Sequence, residues 1–224
     1  MEKEKSCLVT TSLIGSVQWY LESPTSVIKA ERGGDGVKTW KEKALEDLKN
    51  TLGRVPGDFP EAAKKGVEFE KKVYEVVANK QIGKGSEDFQ KICREVEGYE
   101  FYQKGGVNVN IEGDKVYFYA KYDAILPDKT SIKDLKTTAS YKVGKYLAGI
   151  QHKMYCYISG AERFRYVVAE WEKYPKIKRV HVEDYEVRNR LELETDLFCT
   201  TKECFDVIKD LGLWELYRTK YCLY

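Results

Sequence analysis

Val116-Tyr117-Phe118-Tyr119-Ala120-Lys121-Tyr122-Asp123, the turn Pro127-Asp128-Lys129, and Ser131-Ile132-Lys133-Asp134-Leu135-Lys136-Thr137-Thr138 make up the stretch that decides the fold. Apolar residues cluster or alternate in both arms, and proline and aspartate punctuate the join, which is the pattern of a β-hairpin. Successive side chains on a strand point to opposite faces, so Asp134 and Lys136, two apart, project to the same side. Asp123 closes the first arm. The hairpin therefore predicts an acid and a lysine facing one site, with a second acid one strand away.

That set of groups suits phosphodiester hydrolysis. Two carboxylates can hold a hard divalent ion that keeps several waters and also takes phosphate oxygen. Such an ion lowers the pKa of a bound water. A lysine beside it orients that water or stabilises charge in the transition state. By itself an Asp-x-Lys triplet says little, because in a chain that is 33% charged most such triplets lie on solvated strand edges,. Its neighbours say more. Upstream, Gly66 and Glu70 are one helical turn apart on one face,. The glycine costs roughly 1 kcal/mol of helix propensity and leaves a bare patch beside the acid, so a neighbour is expected to approach there. Read alone, Glu68, Glu70 and Glu75 would be solvent charges on a lysine-rich helix; with the downstream acids, Glu70 becomes the site acid. Downstream, Gln151 and Tyr155 again stand at i and i+4, an amide and a phenol projecting together,.

Gly-x-x-x-Glu, then Asp, then Asp-x-Lys, then Gln-x-x-x-Tyr, in this order, resembles the PD-(D/E)XK nuclease superfamily, and within it the RecB-like and lambda-exonuclease-like branch. Thr10-Thr11-Ser12 looks like the segment that opens lambda-type enzymes, and Val180–Tyr185 followed by a long helix resembles their C-terminal end. Ala120 departs from the glycine that many relatives carry three before the acid. Glu70 stands where many RecB-like members have histidine, as it does in the lambda type. The resemblance implies an α/β fold, a central mixed β-sheet flanked by helices in a restriction-endonuclease-like core. It implies Mg²⁺ or Mn²⁺ held by Glu70, Asp123, Asp134 and the Leu135 carbonyl, with Lys136 acting on the attacking water. Gln151 and Tyr155 would orient the metal site or the scissile phosphate.

The remaining pattern predicts a single domain over 1–224: a helical N-terminal extension (1–57), a catalytic core (58–186) and a C-terminal helix (187–224). Ser12 is expected to cap a helix over Leu13–Leu21, with a phosphate contact as its alternative role. Lys38–Leu52 reads as a helix ended by Gly53, and Arg32–Gly36 as a connecting loop. Asp58, Pro60 and Glu61 read as the start of the helix that carries Glu70. Ser86–Glu97 is a further helix. Tyr99–Ile111, Val116–Leu126 and Ser131–Thr137 read as three consecutive antiparallel strands and Ala139–Ser159 as the next helix. Arg163–Trp171 and Val180–Glu186 are strands, and a last helix starts at Thr200 and ends at Gly212. Around the hairpin, Lys142, Lys145 and His152 are candidate DNA contacts, with Tyr141 and Tyr146 placed for base stacking. Thr137 and Thr138 are expected to hydrogen-bond phosphate.

Composition bounds the rest. The chain has 224 residues, is 42% hydrophobic and carries a net charge of only +2, so any nucleic-acid footprint is local,. No apolar run is long enough for a membrane span, and Met1-Glu2-Lys3-Glu4-Lys5 is followed by no signal-like apolar stretch,. A cytoplasmic protein of bacterial or phage origin is expected. Six dispersed cysteines without a Cys-x-x-Cys pair read as reduced thiols,. Cys7, Cys199, Cys204 and Cys222 mimic the order of an iron–sulfur site but lack its tight late triplet. The expected function is a metal-dependent deoxyribonuclease, an exonuclease acting on DNA ends in recombination or phage DNA metabolism, with homo-oligomers open to it. An endonuclease with the same site, a non-catalytic DNA-binding protein and a fold acting on RNA or nucleotides are the alternatives.

Overall fold

Extended residues with side-chain oxygens start the first helices. In the computed structural model, which describes residues 6–28, 38–57 and 60–222, Thr10 Oγ1 accepts from Leu13 N (3.2 Å) and opens α1 (Thr11–Glu22). Thr10 is thus the cap where Ser12 was expected, because Thr10 still has the extended backbone a cap needs (φ −124°, ψ 159°),. Ser12 lies in the first turn, exposed. Thr39 and Glu42 form a reciprocal capping box for α2 (Trp40–Gly53), whose stripe of Ala44, Leu48 and Leu52 is buried,. The Arg32–Gly36 loop and the start of the third helix at Asp58 and Phe59 lie outside the described residues.

The chain divides into two compact units. One takes its described residues from Met1–Gly57, Gly106–Tyr119 and Glu194–Tyr224. It contains β1 (Cys7–Val9), α1, α2, most of β3 (Lys104–Ile111), β4 (Asp114–Lys121) and α6 (Arg190–Asp210), and α7 (Trp214–Tyr221). Its sheet runs β1-β4-β3, with β1 parallel to β4. Tyr217 OH donates to the Leu8 carbonyl (3.0 Å) and ties α7 to β1. Cys7 and Cys222, brought together by that packing, form a disulfide. The expectation of six reduced thiols is corrected for this pair, and the iron–sulfur alternative loses two of its four ligands. Cys93, Cys156 and Cys204 are buried thiols and Cys199 is an exposed one.

The other unit takes its described residues from Asp58–Gly105 and Ala120–Leu193. Its five-stranded sheet runs β2 (Glu100–Phe101), β5 (Ala124–Ile125), β6 (Ser131–Thr138), β7 (Arg163–Lys173), β8 (Lys176–Glu186). Only β6 and β7 are parallel, Asp134 opposite Tyr166, and the segment between them carries α5 (Gln151–Ser159) as the crossover such a pair requires,. On one face α3 (Glu61–Ala78) and α4 (Glu87–Glu95) bury Phe69, Val73, Phe89 and Ile92 against Leu135, Val167 and Ala169. On the other, Tyr155 of α5 packs on Phe164 and His152 on Tyr166. A mixed sheet flanked by helices is the α/β class expected. Among the described residues no helix is long and apolar enough to cross a membrane.

Four elements differ markedly from their expected extents. The first two strands are each interrupted, at Tyr102 and at Tyr122–Asp123, so that β2 and β5 belong to one sheet and β3 and β4 to another. Tyr102 is left-handed (φ 58°), which no strand accommodates,. The helix expected over Ala139–Ser159 begins only at Gln151. Glu183 Oε2 takes the N–H groups of Tyr146 (3.2 Å) and Leu147 (3.1 Å), which a helix would have needed for its own ladder,. At the C-terminus α6 starts well before Thr200, because Asn189 Oδ1 accepts from Leu191 N and Glu192 N. Gly212, left-handed at φ 69°, separates it from α7.

Candidate active site

The site lies along an open strand edge. β5 is two residues long and pairs with β6 only at Lys133 and Ile132, so among the described residues β6 from Asp134 onward has a partner strand on one side alone. On the free side Leu135 N–H donates to Asp123 Oδ2 (3.2 Å). The N–H and C=O of one strand residue point to the same edge, so the Leu135 carbonyl faces that side too. Continuing the β5–β6 register puts Asp123 opposite Asp134. Asp134 and Lys136 share a face as strand alternation requires, and Lys136 Nζ is 2.7 Å from Asp134 Oδ2. Asp134 is 1% exposed. Its Oδ1 accepts from Gln151 Nε2 (2.5 Å), while Oδ2 has the ion-pair contact but no directional hydrogen bond.

α3 delivers Glu70. A Cβ on Gly66 would stand 3.1 Å from Thr137 Oγ1, so Thr137 of β6 is the neighbour that the bare patch admits. A groove of about 400 Å³ runs there, lined by Ala62, Ala63, Gly66, Glu70, Lys136 and Thr137 among others. Burial and the charge of Asp134 raise the Glu70 pKa above its ordinary value. Burial, Asp134 and Glu70 push Asp123 well above the usual carboxylate range,. Burial works against the charge of Lys136, but the attraction of Asp134 and Asp123 outweighs it and the pKa goes up. Tyr155, one turn after Gln151, is pushed up to about 12 by burial and by Asp134 and Asp123.

Glu70, Asp123, Asp134, Lys136, Gln151 and Tyr155 thus act on one another, directly or through their charges. Thr137 and Thr138 continue the same edge. Lys142 and Lys145 are exposed on the turn segment between β6 and α5. His152 is not presented to a ligand: it is 1% exposed, its Nδ1 is 3.4 Å from Tyr166 OH, and its ring packs on Tyr185. Burial lowers its pKa to about 4, so it is a neutral core ring and not the phosphate contact expected. Ser12 lies in the other unit. The expected stacking pair is also engaged already, Tyr141 on His181 (3.9 Å) and Tyr146 on Tyr166 (5.5 Å).

Two contributors escape a reading of the motifs. Glu183, buried on β8, accepts from Tyr141 OH (2.9 Å) besides the two backbone N–H groups, and so pins the segment that carries Lys142 and Lys145. No local pattern marks it. Tyr74 follows Glu70 at i+4, and its buried hydroxyl, without a hydrogen-bond partner, feels Asp123 and Glu70. That spacing was visible in the sequence.

Among the described residues no three His, Cys, Asp or Glu side chains close a metal cage. Mg²⁺ needs none, since it binds through one or two carboxylates and keeps several waters. The oxygen-only donors, their mutual repulsion and the Asp134 oxygen without a directional hydrogen bond fit such an ion.

No family model and no curated protein matches the chain. Solved structures do. The crystal structure of SSO0001 aligns at 16% identity over 92% of this chain and 78% of the other, TM-score 0.51. LHK-Exo in complex with dAMP aligns at 16% identity over 91% and 90%, TM-score 0.47. A phage-related exonuclease from Haemophilus somnus aligns at 14% identity over 92% of both chains, TM-score 0.47. At these identities the similarity is one of fold, and the SSO0001 alignment is the one that establishes it.

Proposed function

We propose that the protein is a metal-dependent deoxyribonuclease, an exonuclease that hydrolyses phosphodiester bonds at DNA ends in recombination or phage DNA metabolism. The observation that carries this reading is the meeting of Asp123, Asp134 and Glu70 with Lys136 on an open strand edge. Asp123, Asp134, the Leu135 carbonyl and Glu70 would hold Mg²⁺ or Mn²⁺, which when bound acidifies a water and offsets charge on phosphate oxygen. Lys136 is a cation here, and its role is to orient the attacking water and stabilise the developing negative charge,. Gln151 fixes the Asp134 rotamer through its hydrogen bond. Tyr155 offers a neutral phenol to the same site. Thr137 and Thr138 donate to phosphate, and Lys142 and Lys145 neutralise flanking phosphates. The protein acts in the cytoplasm of a bacterial cell, its own or a phage's host.

The test is digestion of end-labelled linear duplex beside covalently closed circular DNA, with Mg²⁺, by wild type and Lys136→Ala. Degradation of the linear substrate alone, absent in the variant, supports an exonuclease, and the label gives its polarity. Cutting of circles makes it an endonuclease with the same site. DNA binding without cleavage under either Mg²⁺ or Mn²⁺ would reduce it to a binding protein.

A further inference from the structure

Tyr102 is held where a free chain would not put it. A bulky residue in the left-handed region (φ 58°) is strained, and such strain gathers at functional sites,. Two backbone bonds hold the conformation: Tyr102 N–H donates to the Asp123 carbonyl (3.2 Å) and Tyr122 N–H to the Gln103 carbonyl (2.8 Å). The two strand interruptions thereby clasp each other, and the Tyr102 ring is turned out beside the acids. It is 40% exposed, and its hydroxyl is near enough to Glu70 to work against the rise of that carboxyl's pKa. Behind it stands Tyr74, met edge-on (4.9 Å, 89°) and itself stacked on Phe101 (4.2 Å, 22°). Lys121 Nζ lies 4.7 Å from the centroid of the Tyr102 ring, and its charge also reaches Glu70. Packing does not explain so exposed a ring, because Tyr74 and Phe101 already fill the space beneath it.

We propose that Tyr102 and Lys121 form the subsite for the nucleotide next to the scissile phosphate, the ring stacking on its base and the ammonium pairing with the adjoining phosphate. The inference rests on the nuclease reading above. Every base has a π-face, so stacking here takes any base, but only one unpaired from its complement. The exposed Lys121 side chain is free to swing its ammonium from the ring to the phosphate as a base takes its place. A duplex end must therefore fray at this position before it can be cut, and the site accepts DNA without regard to sequence.

The test uses the full chain made inactive by Asp134→Asn, a short single-stranded oligonucleotide carrying 2-aminopurine, and added Ca²⁺. Binding is followed by anisotropy and stacking by the fluorescence of the 2-aminopurine as it is moved along the strand. In the Tyr102 background one position is expected to show a stacking signal. Tyr102→Asn, which tolerates the left-handed backbone, should remove that signal and weaken binding about tenfold, the scale of one lost base–aromatic stack. Tyr102→Phe keeps the ring and should keep both, although it loses the hydroxyl beside Glu70. Lys121→Gln should lower the salt slope of binding by about one. The proposal is overturned if Tyr102→Phe behaves as Tyr102→Asn does, since the hydroxyl would then be all that counts, or if Tyr102→Asn changes neither readout. Wild-type cleavage alongside an indifferent Tyr102→Asn would sink the subsite and leave the nuclease reading standing. Absence of both DNA binding and cleavage in the Tyr102 protein would sink both.

Discussion

Asp123 keeps its carboxylate partly buried with Asp134 and Glu70 facing it, and among the described residues no arginine or lysine pairs with it as Lys136 pairs with Asp134. Its raised pKa means that the folded chain binds a proton there more readily than the unfolded chain. Between the unfolded and folded values the native state holds more protons, so stability falls as pH rises through that window, and the Glu70 shift has the same sign,. Asp123→Asn should therefore abolish cleavage yet raise stability in EDTA by about 1 kcal/mol at neutral pH, and flatten its pH dependence. Calorimetry against pH checks this; a variant less stable than wild type in EDTA would contradict it. Addition of Mg²⁺ should raise the melting temperature of wild type and leave Asp123→Asn nearly unmoved. At this scale the sequence was legible wherever spacing alone puts two groups on one side: Asp134 with Lys136, Gly66 with Glu70, Gln151 with Tyr155. His152 was misread because its neighbour Gln151 faces the site, while one helical step turns its own ring into the core.

Elements meet at Gly66. An alanine there gains helix propensity of roughly 1 kcal/mol but presses on Thr137 Oγ1, which is half-exposed and can turn aside,. Gly66→Ala is expected to melt no lower than wild type while losing several-fold in kcat/KM, because the displaced Thr137 would no longer make the phosphate contact proposed for it. Full activity with lost stability would show that the glycine serves packing only. Glu183 makes the opposite case. Glu183→Ala strands two backbone N–H groups and a phenol, at a cost of about 1–3 kcal/mol. Hydrogen exchange at Tyr146 and Leu147 should quicken, and KM for DNA should rise more than kcat falls. Glu183→Gln, whose amide oxygen still accepts, should recover part of the loss. The reach of α5 was overestimated for the same reason: its expected first turns spend their N–H groups on a strand far along the chain, and local periodicity cannot register that.

Over the whole molecule the charges nearly cancel, at +2, so the proposed DNA binding would depend on a few lysines near the strand edge and not on a general field. With Lys121, Lys136, Lys142 and Lys145 as contacts, the logarithm of the binding constant should fall against the logarithm of salt with a slope of about −4. Lys142→Gln with Lys145→Gln should make it shallower by about two. An unchanged slope would remove that segment from the footprint. The sequence by itself determined the α/β class, the strand alternation that puts Asp134 and Lys136 on one face, and the helical pairs, because strand and helix periods are local properties of the backbone. Only the tertiary structure decided that β5 stops after two residues and leaves β6 open, and that Thr137 is what fills the notch at Gly66. It alone decided that Glu183 holds the segment before α5, that Cys7 finds Cys222, and that Tyr102 turns outward at a break in its strand. Each of these depends on residues far apart in the chain competing for the same hydrogen-bonding groups or the same space, and that competition is resolved only when the chain has packed.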